Sequence, residues 1–292
     1  MSVRKLDKAR GSMIGAAYGD SNWHLGYRAT YRTDLVAATA SGLLDMIPRN
    51  IDCIWDEYLR WYWAQKKIPQ MADSGLAEVF ESARMGTFNQ LHKDVKGCNA
   101  VERVSPVGIA YYDDTEFAFH VALCVAVMTH GEPEDYMPAA YLATMIAYLI
   151  SGESLEASMS HSREKVIAFS ASKKKATIDA IDRATVAVNN EIPVKTARYF
   201  RESEDEDQRL RGSEALAIAL YSVLKSPEDP IQAVAIASSL SPEPGSALIA
   251  GAIAGAMHGL APFMWELADQ GIDTEPYAKL DGMAMDLLLK EP

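Results

Sequence analysis

Carboxylates dominate the chemistry that this sequence can offer, with 40 Asp and Glu against 28 Lys and Arg and a net charge of −12 over 292 residues. The most pointed cluster is Asp113-Asp114-Thr115-Glu116, whose adjacent acids and hydroxyl are the oxygen donors that a divalent cation prefers. The same tetrapeptide opens an apolar helical run, so Asp114 or Thr115 is equally suited to cap that helix. His24 follows Trp23 in a polar loop, where the indole could stack on a base or a nicotinamide ring. His130 sits in a Gly-Pro turn and is read as structural. Cys53, Cys98 and Cys124 are odd in number and form no CxxC pair, which favours a reducing, cytoplasmic setting. Residues 203–207 (SEDED) read as a solvated acidic run.

The acidic balance argues against nucleic acid as a partner, because phosphate binding draws on clustered Lys and Arg. A membrane is excluded on length. The most apolar stretch, from residue 246 to 257, falls short of the roughly 20 residues that a bilayer requires. The N-terminus has basic residues, but Gly11, Ser12 and Gly15 interrupt any apolar export core.

The elements that must position these groups are helical throughout. Apolar residues recur at helical spacing over 5–18, 34–46, 54–65, 76–85, 116–128, 137–151, 214–224 and 231–240, with weaker runs over 155–162 and 165–189. Tyr31, Arg32 and Thr33 are placed in the loop entering the second of these. Trp55, Tyr58 and Tyr62 form an aromatic stripe read as core. Period-2 alternation is almost absent and no compositional break divides the chain, so the expectation is one all-α domain spanning residues 1–292. Gly251, Gly255 and Gly259 share one face of the helix from residue 246. Each glycine costs roughly 1 kcal/mol against alanine in a helix, so their spacing implies another backbone passing close by.

Taken together, the chain resembles the ADP-ribosylglycohydrolase family, the dinitrogenase-reductase-activating type of all-α hydrolase. The resemblance rests on ARGSMIGAAYGD at 9–20, RVSPVGIAYY at 103–112, MTHGEP at 128–133, EALAIALYSVL at 214–224 and IAGAIAGAMHG at 249–259. It implies a compact multi-helix domain and action on the glycosidic bond of an ADP-ribosyl or other ribosyl-nucleotide substrate. Members of the family usually hold two Mg²⁺ ions between an S/T-D-D-T loop before the second helix and a G-D-T-D-T loop before the small-residue helix. By register those loops fall here on Thr30-Tyr31-Arg32-Thr33 and Ser241-Pro242-Glu243-Pro244-Gly245, so Tyr31, Arg32 and two prolines stand where the aspartates would be. The same register sets Asp113 and Asp114 on an ordinary loop. No metal cofactor is therefore expected, and Arg32 could take over part of the cations' role toward a phosphate or carboxylate.

Glycoside hydrolysis uses one carboxyl to protonate the leaving group and a second to activate water or stabilise an oxocarbenium-like centre. The resemblance places Asp20, Asp34, Glu102 and Glu243 around the cleft. Glu102, Glu243 and Asp34 are the catalytic candidates. Each has a plainer reading as well: Glu102 paired with Arg103 or facing solvent, Glu243 a turn residue, Asp34 a cap for its own helix. Asp20, Trp23, His24, Tyr31, Arg32, Asn99 and Ser241 are the candidate substrate contacts, with Asp20 also suited to bracing a helix end. The expected ligand is a small ribosyl nucleotide or ADP-ribose-like molecule. The alternative is a catalytically inactive descendant that binds ADP-ribose, a nucleotide or a protein partner.

Overall fold

The computed structural model describes residues 2–21, 30–46, 50–65, 75–83, 95–169, 172–201, 209–241 and 243–290. These residues are helical with no strand among them, so the all-α expectation is met. In order the helices are α1 (Val3–Asp20), α2 (Tyr31–Asp45), α3 (Asp52–Ala64), α4 (Leu76–Ser82), α5 (Asn99–Glu102), α6 (Ser105–Ala110), α7 (Thr115–Val127) and α8 (Pro133–Ser151). Then come α9 (Leu155–Phe169), α10 (Lys175–Asn189), a 3-10 turn (Ala197–Phe200), α11 (Gly212–Lys225), α12 (Pro230–Leu240), α13 (Gly245–His258), α14 (Ala261–Asp269) and α15 (Glu275–Leu289).

The most intimate packing is between α1 and α13. Gly11, Gly15 and Gly19 on α1 recur at the same four-residue interval as Gly251 and Gly255 on α13, and the two rows face each other. A Cβ built on Gly251 would lie on the Gly15 carbonyl, and one built on Gly255 on the Gly11 carbonyl. This is the close backbone approach that the glycine spacing demands. Both helices are buried over most of their length. Another inner helix is α8, which packs against α6, α7, α9 and α11 and is buried along nearly its whole length.

Several boundaries differ from the periodicity. Tyr31, Arg32 and Thr33 are not loop but the first turn of α2, because Thr30 caps it by accepting from the Arg32 amide at 3.2 Å. α8 begins at Pro133 rather than at residue 137, since proline at the first helical position forfeits only an amide that would lack a partner anyway. The break expected near residue 163 falls after Phe169 instead, so α9 runs unbroken through its polar middle. Helices α14 and α15, beyond the last stretch read from periodicity, close the fold against α1, α2 and α12. Asp114 caps α7 through Oδ1, which accepts from the Phe117 amide at 2.9 Å.

Candidate functional site

The C-terminal end of α1 and the N-terminal end of α2 are joined by one carboxylate. Asp20 is fully buried, and its Oδ2 accepts from the Thr30 amide at 2.6 Å, the Thr33 amide at 3.2 Å and the Thr33 hydroxyl at 2.7 Å. Its Oδ1 accepts from the Thr30 hydroxyl at 2.7 Å. Burial pushes the carboxyl up from its ordinary value and these donors pull it back. Both oxygens are bonded to Thr30 and Thr33, so Asp20 braces the helix start from which Arg32 projects.

Arg32 meets Glu102 across the interior. Its Nε donates to Glu102 Oε1 at 3.1 Å, and the two side chains are 9% and 1% exposed. The same oxygen accepts from the Cys98 thiol at 3.0 Å, and Oε2 accepts from Asn99 Nδ2 at 2.9 Å. Asn99 Nδ2 also reaches the Tyr31 hydroxyl at 3.3 Å, and the Arg32 guanidinium lies 4.9 Å above the Tyr31 ring. Burial pushes the Tyr31 phenol up to about 12. The Cys98 thiol is pushed up by burial and then by the Glu102 and Glu243 carboxylates. Four expected site residues (Tyr31, Arg32, Asn99, Glu102) thus converge on one buried centre. Cys98 joins them unforeseen, although its position four residues before Glu102 was a signal for a shared helical face.

The anticipated Glu102–Arg103 pair does not form. Arg103 turns the other way and is fully buried. Its Nη2 donates to the Val125 carbonyl at 3.0 Å and the Thr129 hydroxyl at 2.5 Å, and its guanidinium lies 4.8 Å over the Tyr58 ring. Adjacent residues in one helical turn point in different directions, so neighbouring opposite charges were a poor guide to pairing.

The start of α13 closes the other side. A Cβ built on Gly245 would strike Glu102 Oε1, with Cys98 Sγ 2.7 Å away, so only glycine lets α13 come up to this carboxylate. Glu243 is half-buried just before it, and its amide donates to the Ser241 hydroxyl at 3.2 Å. The Glu243 carboxylate makes no hydrogen bond or ion pair with a described residue. Burial pushes it up from its ordinary value, Arg32 and Arg209 oppose that, and Glu102 adds to it. The Arg32 Nη atoms likewise have no hydrogen-bond partner among the described residues. A guanidinium fixed at Nε and a carboxyl with a raised pKa therefore stand near each other with their polar edges uncommitted.

Asp34 lies in the first turn of α2 but is exposed. It neighbours Trp61 and Lys279, and among the described residues no bond joins it to Arg32, Glu102 or Glu243. It does not cap α2, a task Thr30 and Asp20 perform. Trp23 and His24 lie outside the described residues.

The two-Mg²⁺ arrangement does not fit these side chains. Magnesium needs a near-octahedral oxygen shell with carboxylates to balance its charge. Here a guanidinium occupies Glu102, and Asp20 spends both oxygens on Thr30 and Thr33. Among the described residues no three His, Cys, Asp or Glu side chains are grouped to hold a metal.

An all-α body built on a glycine-faced helix pair, with a polar centre where α2, α5 and α13 meet, defines the class. The ADP-ribosylglycohydrolase family model matches residues 1–291, and the chain belongs to that family. Its structure is similar to a solved one described as "ADP-ribosylglycohydrolase-related protein complex", with a TM-score of 0.69 and 17% identity over 98% of each chain. At that identity the likeness shows the fold. No curated protein sequence matches the chain significantly. Among the described residues no helix is long and apolar enough to cross a membrane.

Proposed function

We propose that this chain acts on the glycosidic bond of a ribosyl nucleotide or ADP-ribose-like molecule without a divalent cation, Arg32 supplying the fixed positive charge and Glu243 the acid–base group. The observation that carries this reading is an Arg32 anchored at Nε, its Nη atoms unbonded among the described residues, beside a Glu243 carboxyl that feels its charge and whose pKa burial raises. A general acid near neutral pH needs such a raised carboxyl. Glu243 protonates the departing group and then, as carboxylate, takes a proton from the incoming water. Arg32 donates to the phosphate or hydroxyl oxygens of the ligand and needs no reorganisation, because Glu102 and Tyr31 already hold it. Asn99 and Asp20 keep that arrangement in place, Ser241 fixes the Glu243 backbone, and Asp34 is assigned no step.

A second reading is a protein that binds the same ligand without turnover. It is favoured by Glu102, whose oxygens are engaged by Arg32, Cys98 and Asn99 and which is 1% exposed, so it is not free to serve Glu243 as a second carboxylate. Calorimetry with ADP-ribose, NAD and ribose phosphates, followed by product analysis after long incubation, separates the two. Saturable binding with turnover is expected. Binding without product favours the second reading, and no binding by any of them defeats both.

A further inference from the structure

Helix α5, which carries Asn99 and Glu102, spans four residues and has no side-chain cap. A helix that short has no stability of its own, so its neighbours must hold Glu102 within reach of Arg32. The helices packed on it include α8, α13 and α11, and the starts of α8 and α11 are tied to each other beside it. Asp135, in the first turn of α8, is fully buried. It accepts from Arg211 Nε at 2.8 Å, from Arg211 Nη2 at 2.6 Å and from the Gly212 amide at 3.1 Å. Arg211 immediately precedes α11, and its remaining nitrogen, Nη1, pairs with Glu134 at 2.5 Å. Gly212 lies against the Asp135 backbone and against Val101, where a built Cβ would come within 3.0 Å of Val101 Cγ2. Val101 is the residue before Glu102.

We propose that Asp135 and Arg211 are positioning residues for the Arg32–Glu102 centre, their two-point ion pair docking α11 on α8 and wedging α5 between them. The proposal rests on the reading of that centre as the ligand site. Two parallel N–H···O bonds set angle as well as distance, which an apolar contact between helix ends would not. Neither residue bonds to Arg32, Glu102 or Glu243 among the described residues, so the effect passes through the Gly97 amide, which interacts with Asp135, and through Val101 and the short helix. Cys98 reports on it directly, being 2% exposed and bonded to Glu102. A displaced α5 uncovers that thiol.

The test uses the full chain carrying Cys53→Ser and Cys124→Ser, so that Cys98 is the one thiol left, and follows its reaction with DTNB under native conditions alongside calorimetry with ADP-ribose. Asp135→Asn keeps the shape and removes the charge, and Arg211→Lys keeps the charge and removes the fork. Each should speed Cys98 modification at least about tenfold, as a rise in local opening does, and weaken ADP-ribose binding. Asp281→Asn breaks the two-point Arg10–Asp281 pair between α1 and α15, and should lower Tm while leaving Cys98 protected. Folded Asp135→Asn and Arg211→Lys proteins with Cys98 as protected as in the parent would overturn the proposal. So would complete loss of fold in both, which would make the pair a general stability element. The thiol readout needs no ligand, so a parent protein that ignores ADP-ribose but shows the expected Cys98 pattern sinks the functional reading and leaves the positioning role standing.

Discussion

The Arg32–Glu102 pair has the energetics of a buried ion pair, in which removing one partner strands the other. Arg32→Ala or Glu102→Ala should each destabilise the protein by about 3–5 kcal/mol, because a charge is left in the interior without its counterion. The double variant should cost less than the two singles together, by about 1–3 kcal/mol, since it strands nothing. Urea denaturation of the four proteins measures this, and strict additivity would show that the contact carries no coupling. Glu243 is the opposite case, a carboxyl with no hydrogen-bond partner among the described residues to lose. Glu243→Gln should leave stability and ligand affinity nearly intact while reducing kcat by roughly 10²–10⁴, the usual worth of a positioned general acid. The sign of its pH dependence follows from its role. An acid must be protonated to act, so activity should fall as pH rises through a pKa that burial has raised. That limb should vanish in Glu243→Gln. Activity that instead declines as pH is lowered through the same value would make Glu243 a base in the limiting step.

Helix α13 makes two demands on glycine. Along its length Gly251 and Gly255 let α1 lie backbone to backbone, and at its start Gly245 lets it meet Glu102. Gly251→Ala should cost about 3 kcal/mol through overpacking against the Gly15 carbonyl, lowering Tm by roughly 6–12 °C. Gly282 on α15 is the internal comparison. A Cβ there would meet nothing within 4 Å, so Gly282→Ala should stabilise the chain by about 0.5–1 kcal/mol through helix propensity alone. Differential scanning calorimetry of both variants gives opposite signs if close approach decides the cost. Equal shifts would mean that propensity does.

Across the whole molecule, the reading that Tyr31, Arg32 and two prolines stand in place of acidic ligands predicts that no divalent cation contributes to folding. A metal that binds only the native state at a hundred times its Kd adds about 2.7 kcal/mol, a shift of several degrees in Tm. The Tm should therefore be the same in EDTA and in millimolar Mg²⁺ or Mn²⁺. A rise with either ion that EDTA reverses would show a cation site formed by other residues. The net charge of −12 makes ionic strength the necessary control, because salt alone relaxes self-repulsion.

Sequence alone determined the helical class, since apolar periodicity and the glycine interval are local properties that any fold of this chain must satisfy. The expected departure from the family's metal loops was also read there, from the residue types that the register places at 30–33 and 241–245. The glycine interval at 251, 255 and 259 was legible, although Gly259 proved to be the C-cap of α13 rather than part of its face; the matching row at 11, 15 and 19 and its place opposite emerged only in the fold. Partners were decided by tertiary structure. Glu102 stood beside Arg103 in the chain and joined Arg32 in space, 70 residues away, because two helix starts converge on a turn whose adjacent side chains diverge. The clamp between Asp135 and Arg211 was equally hidden. Charge pairing in an interior depends on which helix ends are brought together, and that follows from packing the whole core rather than from any stretch of sequence.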